Sequence, residues 1–173
     1  MCVDPQAARV EAAWKVLAHV LDPEVPALSV CDLGIVRDVL VRGAALEIVL
    51  TPTYSGCPAT EVIEQDVLHA INQAQLGPAC VTLRRAPAWT SDWISHEGRR
   101  KLAEYGIAPP HVIKSQDAVP LRFFGRSANA PALVCPQCGS NHTERLSPFG
   151  STACKALYRC LACKEPFEYF KPI

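Results

Sequence analysis

The chain contains no apolar run approaching the roughly 20 residues that a bilayer-spanning helix needs, and no charged-then-apolar leader opens it. A membrane protein is not expected, and the expected compartment is cytoplasmic. Net charge is also missing, because 17 Lys and Arg balance 17 Asp and Glu. Nor are the basic residues clustered. Residues 1–86 hold six Lys or Arg against ten acids, residues 87–134 six against four, and residues 135–173 five against three. A nucleic-acid footprint needs a concentrated basic face, so no nucleic-acid partner is expected. The sequence has no Glu-x-x-His pair and few long helical patterns, which excludes a helix-bundle diiron oxygenase. What it has in excess is cysteine, nine in all, an odd number. Without a secretory leader these read as cytosolic thiols and metal ligands rather than a disulfide frame. An apolar fraction of 49% supplies a packed core, and the length allows one ordinary domain plus a small module.

The first half is organised around Thr51-Pro52-Thr53-Tyr54-Ser55-Gly56-Cys57-Pro58. Proline at the first helical position costs no hydrogen bond, so the spacing predicts Pro58 there and Cys57 as N-cap. The sulfur would then sit by free N–H groups and the positive end of the helix dipole, which favour thiolate. Gly56 would permit the sharp turn before it. The plainer alternative is a small buried cysteine at a tight turn.

Around this stretch, Asp4-Pro5 starts a helix whose face repeats Val10, Trp14, Leu17 and Leu21 before Asp22-Pro23 stops it. In the stiff loop Asp22-Pro23-Glu24-Val25-Pro26 the two carboxylates serve either as turn caps or in chemistry. Leu33 to Val41 is β-rich but alternates poorly, which allows a bulge. Arg42 to Ala45 turns, and Leu46, Ile48 and Leu50 alternate cleanly to complete a hairpin. After Cys57 the apolar set Ile63, Val67, Ala70, Ile71 and Ala74 marks a second helix, ended by Gly77-Pro78, and Cys80 to Arg85 forms a third strand. The expected fold is α+β: a small αββαβ domain over residues 1–86, with one sheet and both helices on one face. Residues 87–134 read as a helix near Asp92–Tyr105, capped by Ser91, then an extended linker through Phe123-Phe124-Gly125 to Pro131. Trp89 and Trp93 are expected as core or interface plugs.

Residues 135–173 carry the most specific chemical signal. Cys135-x-x-Cys138 and Cys160-x-x-Cys163 each place two thiolates on one metal, and a tetrahedral zinc takes two from each knuckle. An iron centre is the alternative occupant. Strands are expected at Thr143–Leu146, Ala156–Arg159 and Pro166–Phe170, a C-terminal zinc ribbon too short to fold without its metal. His142 and Cys154 lie inside the module without being needed for the tetrahedron. Cys154 is either a turn residue or, beside the Lys155 ammonium, a second reactive or cluster-touching thiol. Cys2, Cys31 and Cys80 read as ordinary core or surface thiols.

Asp22-Pro23-Glu24-Val25-Pro26, then Asp32-Leu33-Gly34-Ile35-Val36, then Thr51-Pro52-Thr53 and Gly56-Cys57-Pro58 together resemble the metal-sulfur cluster biosynthetic domain family. That family includes the bacterial SufT proteins and eukaryotic cytosolic iron–sulfur assembly factors. Ala86 to Trp93, Tyr105 to Pro110 and the cysteine ribbon extend the likeness over nearly the whole chain. They are similar to the PaaD family, small accessory subunits encoded with the multicomponent phenylacetyl-CoA ring epoxidase of aerobic phenylacetate degradation.

The resemblance implies an accessory or maturation protein, not itself catalytic, that aids assembly or insertion of iron or iron–sulfur centres. It implies Cys57, Asp22, Glu24, Asp32 and Thr51 as motif positions, transient iron or a cluster as cargo, and epoxidase oxygenase or reductase subunits or iron–sulfur assembly machinery as protein partners. A stably bound structural subunit is the alternative role. A cysteine enzyme would need a base near Cys57, and His69 lies about three turns along the same predicted helix, out of reach.

Overall fold

The computed structural model describes residues 4–54, 56–111 and 133–173. They form two compact units, Met1–Lys101 with Ile173, and Leu102–Pro172. The linker expected through Phe123-Phe124-Gly125 to Pro131 lies outside the described residues, as does Cys2.

In the first unit, α1 (Pro5–Leu17) starts as its sequence dictates: Asp4 caps it by accepting a 3.0 Å hydrogen bond from the Gln6 N–H, and Pro5 takes the first position. It ends at Leu17, one turn before Asp22. Beyond it Val20 accepts from the Val30 N–H and Leu21 bridges Ser29. Leu21, expected on the buried helix face, is consequently half-exposed.

β1 (Val36–Arg42) and β2 (Ala45–Leu50) form the expected antiparallel hairpin, and β3 (Ala79–Leu83) runs parallel to β2 on its far side. The weak alternation of β1 has a structural cause. A register shift between Val36 and Asp38 turns both Val36 and Val39, three apart, into the core. α2 (Thr60–Gln73) crosses from β2 to β3 and buries Ile63, Val67 and Ile71, while Ala74 ends it exposed. α1 packs on β1 and α2, and α2 on β3, so both helices cover one face. Arg9 locks the corner: its guanidinium donates to the carbonyls of Leu76, Ala44 and Pro78, the last of which also accepts from the Leu46 N–H.

The first unit extends past residue 86. Trp89 is buried and its indole N–H donates to the Leu33 carbonyl at 3.0 Å, and Arg37 lies 3.5 Å over the Trp93 ring. A 3₁₀ turn (Ser91–Trp93) precedes α3 (His96–Glu104). Ser91 is not the cap. It is fully buried, its hydroxyl accepts from the Ile173 N–H and its carbonyl from Arg99, while Thr90 caps the short turn.

The second unit is a four-stranded sheet in the order β4 (Ile107–Ala108), β7 (Pro166–Phe170), β6 (Lys155–Cys160), β5 (Thr143–Ser147). The three ribbon strands are antiparallel and fall where expected, within a residue at each end. The parallel edge strand β4, added from before the cysteines, was not foreseen. Tyr158 packs edge-on to Tyr169 and stacked with Phe167, closing a core that includes Ala108, Leu133 and Ala156.

Candidate functional site

Two places gather the chemistry, one in each unit. In the second unit Cys135, Cys138, Cys160 and Cys163 bring their sulfurs within 4.8 Å of one another. Cys135 and Cys163 are 3.8 Å apart, Cys138 and Cys160 3.6 Å. A tetrahedron with metal–sulfur bonds of ~2.3 Å has edges of about 3.8 Å, so the four thiols fit one metal ion of that kind. The knuckles are built alike. In each, the residue four past the first cysteine adopts the left-handed conformation, Gly139 at φ 73° and Lys164 at φ 70°, and its N–H donates to the first cysteine's carbonyl. Glycine takes that conformation more readily than lysine does.

Cys154 stays apart from the four. It is buried, with its sulfur 3.0 Å from the Thr152 hydroxyl. The neighbouring Lys155 ammonium, on which its expected activation rested, is itself buried and paired with Glu168 at 3.0 Å. His142 is exposed and lends its backbone carbonyl to Leu161. The eight described cysteines are all free.

In the first unit the chain leaves β2 at Thr51 and reaches α2 through a turn, with Cys57 N–H donating to Tyr54 and Thr60 N–H to Cys57. The helix N-cap is Ala59, without a side-chain hydrogen bond, and Thr60 is the first helical residue. Cys57 thus stands two residues before the cap residue, and what a free N–H does for its sulfur comes from Ala59 alone. Among the described residues, a Cβ at Gly56 would meet the Tyr54 ring at 4.0 Å. Burial pushes the Cys57 thiol up. An Ala59 N–H and the Tyr54 hydroxyl donate to the sulfur and favour thiolate, the Glu24 and Asp22 charges oppose it, and the balance stays upward. The sulfur is half-buried.

The motif residues separate into those near this thiol and those that are not. Asp22 and Glu24 act on Cys57 through their charge. Asp22 also holds its own loop, its Oδ1 accepting from the N–H groups of Glu24 at 2.9 Å and Val25 at 2.8 Å. The turn-cap reading of the Asp22 carboxylate is the one these hydrogen bonds describe.

Asp32 is elsewhere engaged. It accepts from the Ser29 N–H and hydroxyl, from Ser95, and from Lys101 at 2.7 Å. Burial alone would raise its carboxyl, but the Lys101 and Ser29 hydrogen bonds outweigh it and hold the carboxyl below the usual range.

Thr51 is buried, and its hydroxyl has no hydrogen-bond partner among the described residues. Such a group costs about 1–3 kcal/mol to bury. Sequence reasoning passed over Tyr54, whose hydroxyl bond to Cys57 is fixed by the turn between them; its place inside the motif was the one available signal.

Comparison with known proteins agrees with this division. Residues 10–79 match the family model described as "Iron-sulfur cluster assembly protein", and residues 122–171 match "PaaD zinc beta ribbon domain". The first unit resembles the crystal structure of a domain of unknown function, DUF59, from Bacillus anthracis. The two share 27% identity with a TM-score of 0.52, over 56% of this chain and 93% of that one. A conserved hypothetical protein from Thermotoga maritima is 30% identical with a TM-score of 0.46, over 53% and 91% of the respective chains. An Escherichia coli (strain K12) protein, named as one of the subunits of a "Putative 1,2-phenylacetyl-CoA epoxidase", is 45% identical over 168 residues, 95% of this chain and 94% of that one. With an assembly-type α+β unit followed by a four-cysteine ribbon, and with that identity sustained from end to end, the chain belongs to the PaaD family of phenylacetyl-CoA epoxidase subunits.

Proposed function

We propose that the chain is an accessory protein of a phenylacetyl-CoA epoxidase system that aids assembly or insertion of the enzyme's iron or iron–sulfur centres. The observation that carries this reading is the half-buried Cys57 thiol flanked by Asp22 and Glu24 in a domain matched by iron–sulfur assembly proteins. A thiol held largely protonated until a cation arrives, with two carboxylates beside it, suits brief capture of iron or a cluster as cargo: the metal displaces the proton. Asp22 fixes the loop, and Tyr54 and Ala59 orient the sulfur by donating to it.

The ribbon sulfurs would hold a structural zinc, which supplies folding free energy there and takes no part in transfer. Oxygenase or reductase subunits, or iron–sulfur assembly machinery, are the partners this role requires, and the cytoplasm is where it would act. Among the described residues no helix is long and apolar enough to cross a membrane.

The test is the metal content of the epoxidase purified from cells carrying the wild-type chain, a deletion, or Cys57→Ser. Iron and cluster loading should fall in the deletion and in Cys57→Ser alike. Full loading in both, with the wild-type chain co-purifying stoichiometrically with the enzyme, would replace maturation with the role of a permanent structural subunit.

A further inference from the structure

β3 is an edge strand: β2 flanks one side, and among the described residues no strand flanks the other. The pairing fixes which way each backbone group faces. The Leu46 N–H donates to the Pro78 carbonyl and the Arg84 N–H to the Leu50 carbonyl, while Ala79, Val81 and Leu83 are the register partners of Leu46, Ile48 and Leu50. Alternate residues of a parallel pair bond to the neighbour. Cys80 and Thr82 therefore direct their N–H and C=O to β2, and those of Ala79, Val81 and Leu83 face outward. None of these outward groups has a hydrogen-bond partner among the described residues. The strand also lacks the devices that keep a free edge from pairing, which are charge, proline and bulges. Ala79–Leu83 is uncharged throughout and in regular register with β2, whereas β1, at the other edge, carries Arg37, Asp38, Arg42 and a register shift. On β3 the charge sits at the two ends instead. At the start, the Arg9 guanidinium donates to the Pro78 carbonyl. At the finish, Arg84 and Arg85 follow Leu83 directly; both are exposed, and neither side chain makes a hydrogen bond or ion pair among the described residues.

The arginines decide between occupants. A second copy pairing its own β3 antiparallel to this one engages all the outward residues only with Val81 opposite Val81 and Ala79 opposite Leu83. That register brings Arg84 and Arg85 of each copy to the Gly77-Pro78 end where the other's Arg9 sits, so like charges meet at both ends and oppose the pairing. Carboxylates at the same places would be attracted. We propose that the free edge of β3 docks an extended segment of a partner protein, uncharged and β-branched over about five residues and acidic at both ends, added as a further strand to the first unit's sheet. The inference rests on the proposed function only in requiring a protein partner; a chain that never handles iron would still dock such a segment.

The experiment titrates the full-length protein with synthetic peptides. One alternates valine and threonine between pairs of glutamates, one replaces the glutamates by lysines, and one keeps the glutamates around a glycine–serine centre. Calorimetry gives the affinity and NMR-detected hydrogen exchange gives the place. The acid-ended β-branched peptide should saturate at about millimolar affinity or tighter. It should slow exchange of the Ala79, Val81 and Leu83 N–H groups and leave those of Cys80 and Thr82, already bonded to β2, unchanged. The lysine-ended peptide should bind about tenfold more weakly or not at all, and so should the glycine–serine one, which lacks β propensity. Arg84→Gln combined with Arg85→Gln loses no side-chain hydrogen bond, so it should keep the melting temperature and weaken the acid-ended peptide about fivefold. No saturation by that peptide, equal binding of the lysine-ended one, exchange unchanged at the outward N–H groups, or unchanged affinity in the double variant would each overturn the proposal. So would protection of those N–H groups that grows with protein concentration in the absence of peptide, because a second copy would then be the occupant.

Discussion

Removing the Asp32 side chain should destabilise the first unit rather than impair a reaction. Asp32 gathers Ser29, Ser95 and Lys101, and its backbone carbonyl also accepts from the Ser95 N–H at 2.9 Å. It thereby ties the loop before β1 to the start of α3. Hydrogen bonds to a charged group are worth about 1.5–3 kcal/mol each by mutation and do not add. Lys101 is a third exposed and can turn to water, so its share is discounted. The two Ser29 donors and Ser95 carry the remainder, and Asp32→Ala should cost about 3 kcal/mol. For a unit of this size that lowers Tm by about 10 °C or more.

The assay is thermal unfolding followed by tryptophan fluorescence, because Trp14, Trp89 and Trp93 all lie in the first unit and report on it alone. Since the Asp32 carboxyl sits below its usual range in the fold, its charge contributes fully above the unfolded value near ~3.9. That contribution disappears as pH falls through the lower folded value. The gap between wild type and Asp32→Asn should be flat from about pH 8 to 5 and close below about 4. A cost under about 1 kcal/mol, or a gap that widens in acid, would refute the reasoning. A fully stable Asp32→Asn that cannot support epoxidase loading would instead return Asp32 to the functional set.

Purified protein should contain one zinc per chain by metal analysis, lost in Cys160→Ser and kept in Cys57→Ala; loss in Cys57→Ala would mean the ligands are misassigned. Because burial and the neighbouring acids hold the Cys57 thiol up, iodoacetamide should label it more slowly at about pH 8 than a free cysteine. Glu24→Gln should speed that labelling, and no change would remove Glu24 from the site. Gly34 sits at φ +67° with its Cβ position 2.6 Å from the Trp93 carbonyl oxygen, so Gly34→Ala should cost about 3 kcal/mol or more in equilibrium unfolding.

What could be read from the sequence was whatever local pattern determines. Two cysteine knuckles with a two-residue gap announce their own geometry, and the structure assembles the four sulfurs accordingly. The hairpin and even its irregularity were visible, because a bulge is what puts Val36 and Val39 on one face. Errors came where distant residues decide. Leu21 keeps helical spacing with Leu17, yet the pairing of Val20 with Val30 pulls the chain out of the helix first. Pro58 is as comfortable in the turn it occupies as at a helix start, so it marked the approach to α2 two residues early and misplaced Cys57 as the cap. Asp32 looked like a companion of Cys57 because motif residues were read together. Its partner Lys101 is 69 positions away, which no spacing argument reaches. The unpaired Thr51 hydroxyl shows only once the packing around it is known.

The pairing of Ile107 and Ala108 with Glu168 and Tyr169 decides how the metal-binding end could be produced alone. A fragment begun at Cys135 would leave the outer side of Glu168 and Tyr169 without its partner strand, a template for self-association in any preparation. Begun at Leu102, the same fragment would keep those two residues paired with its own chain.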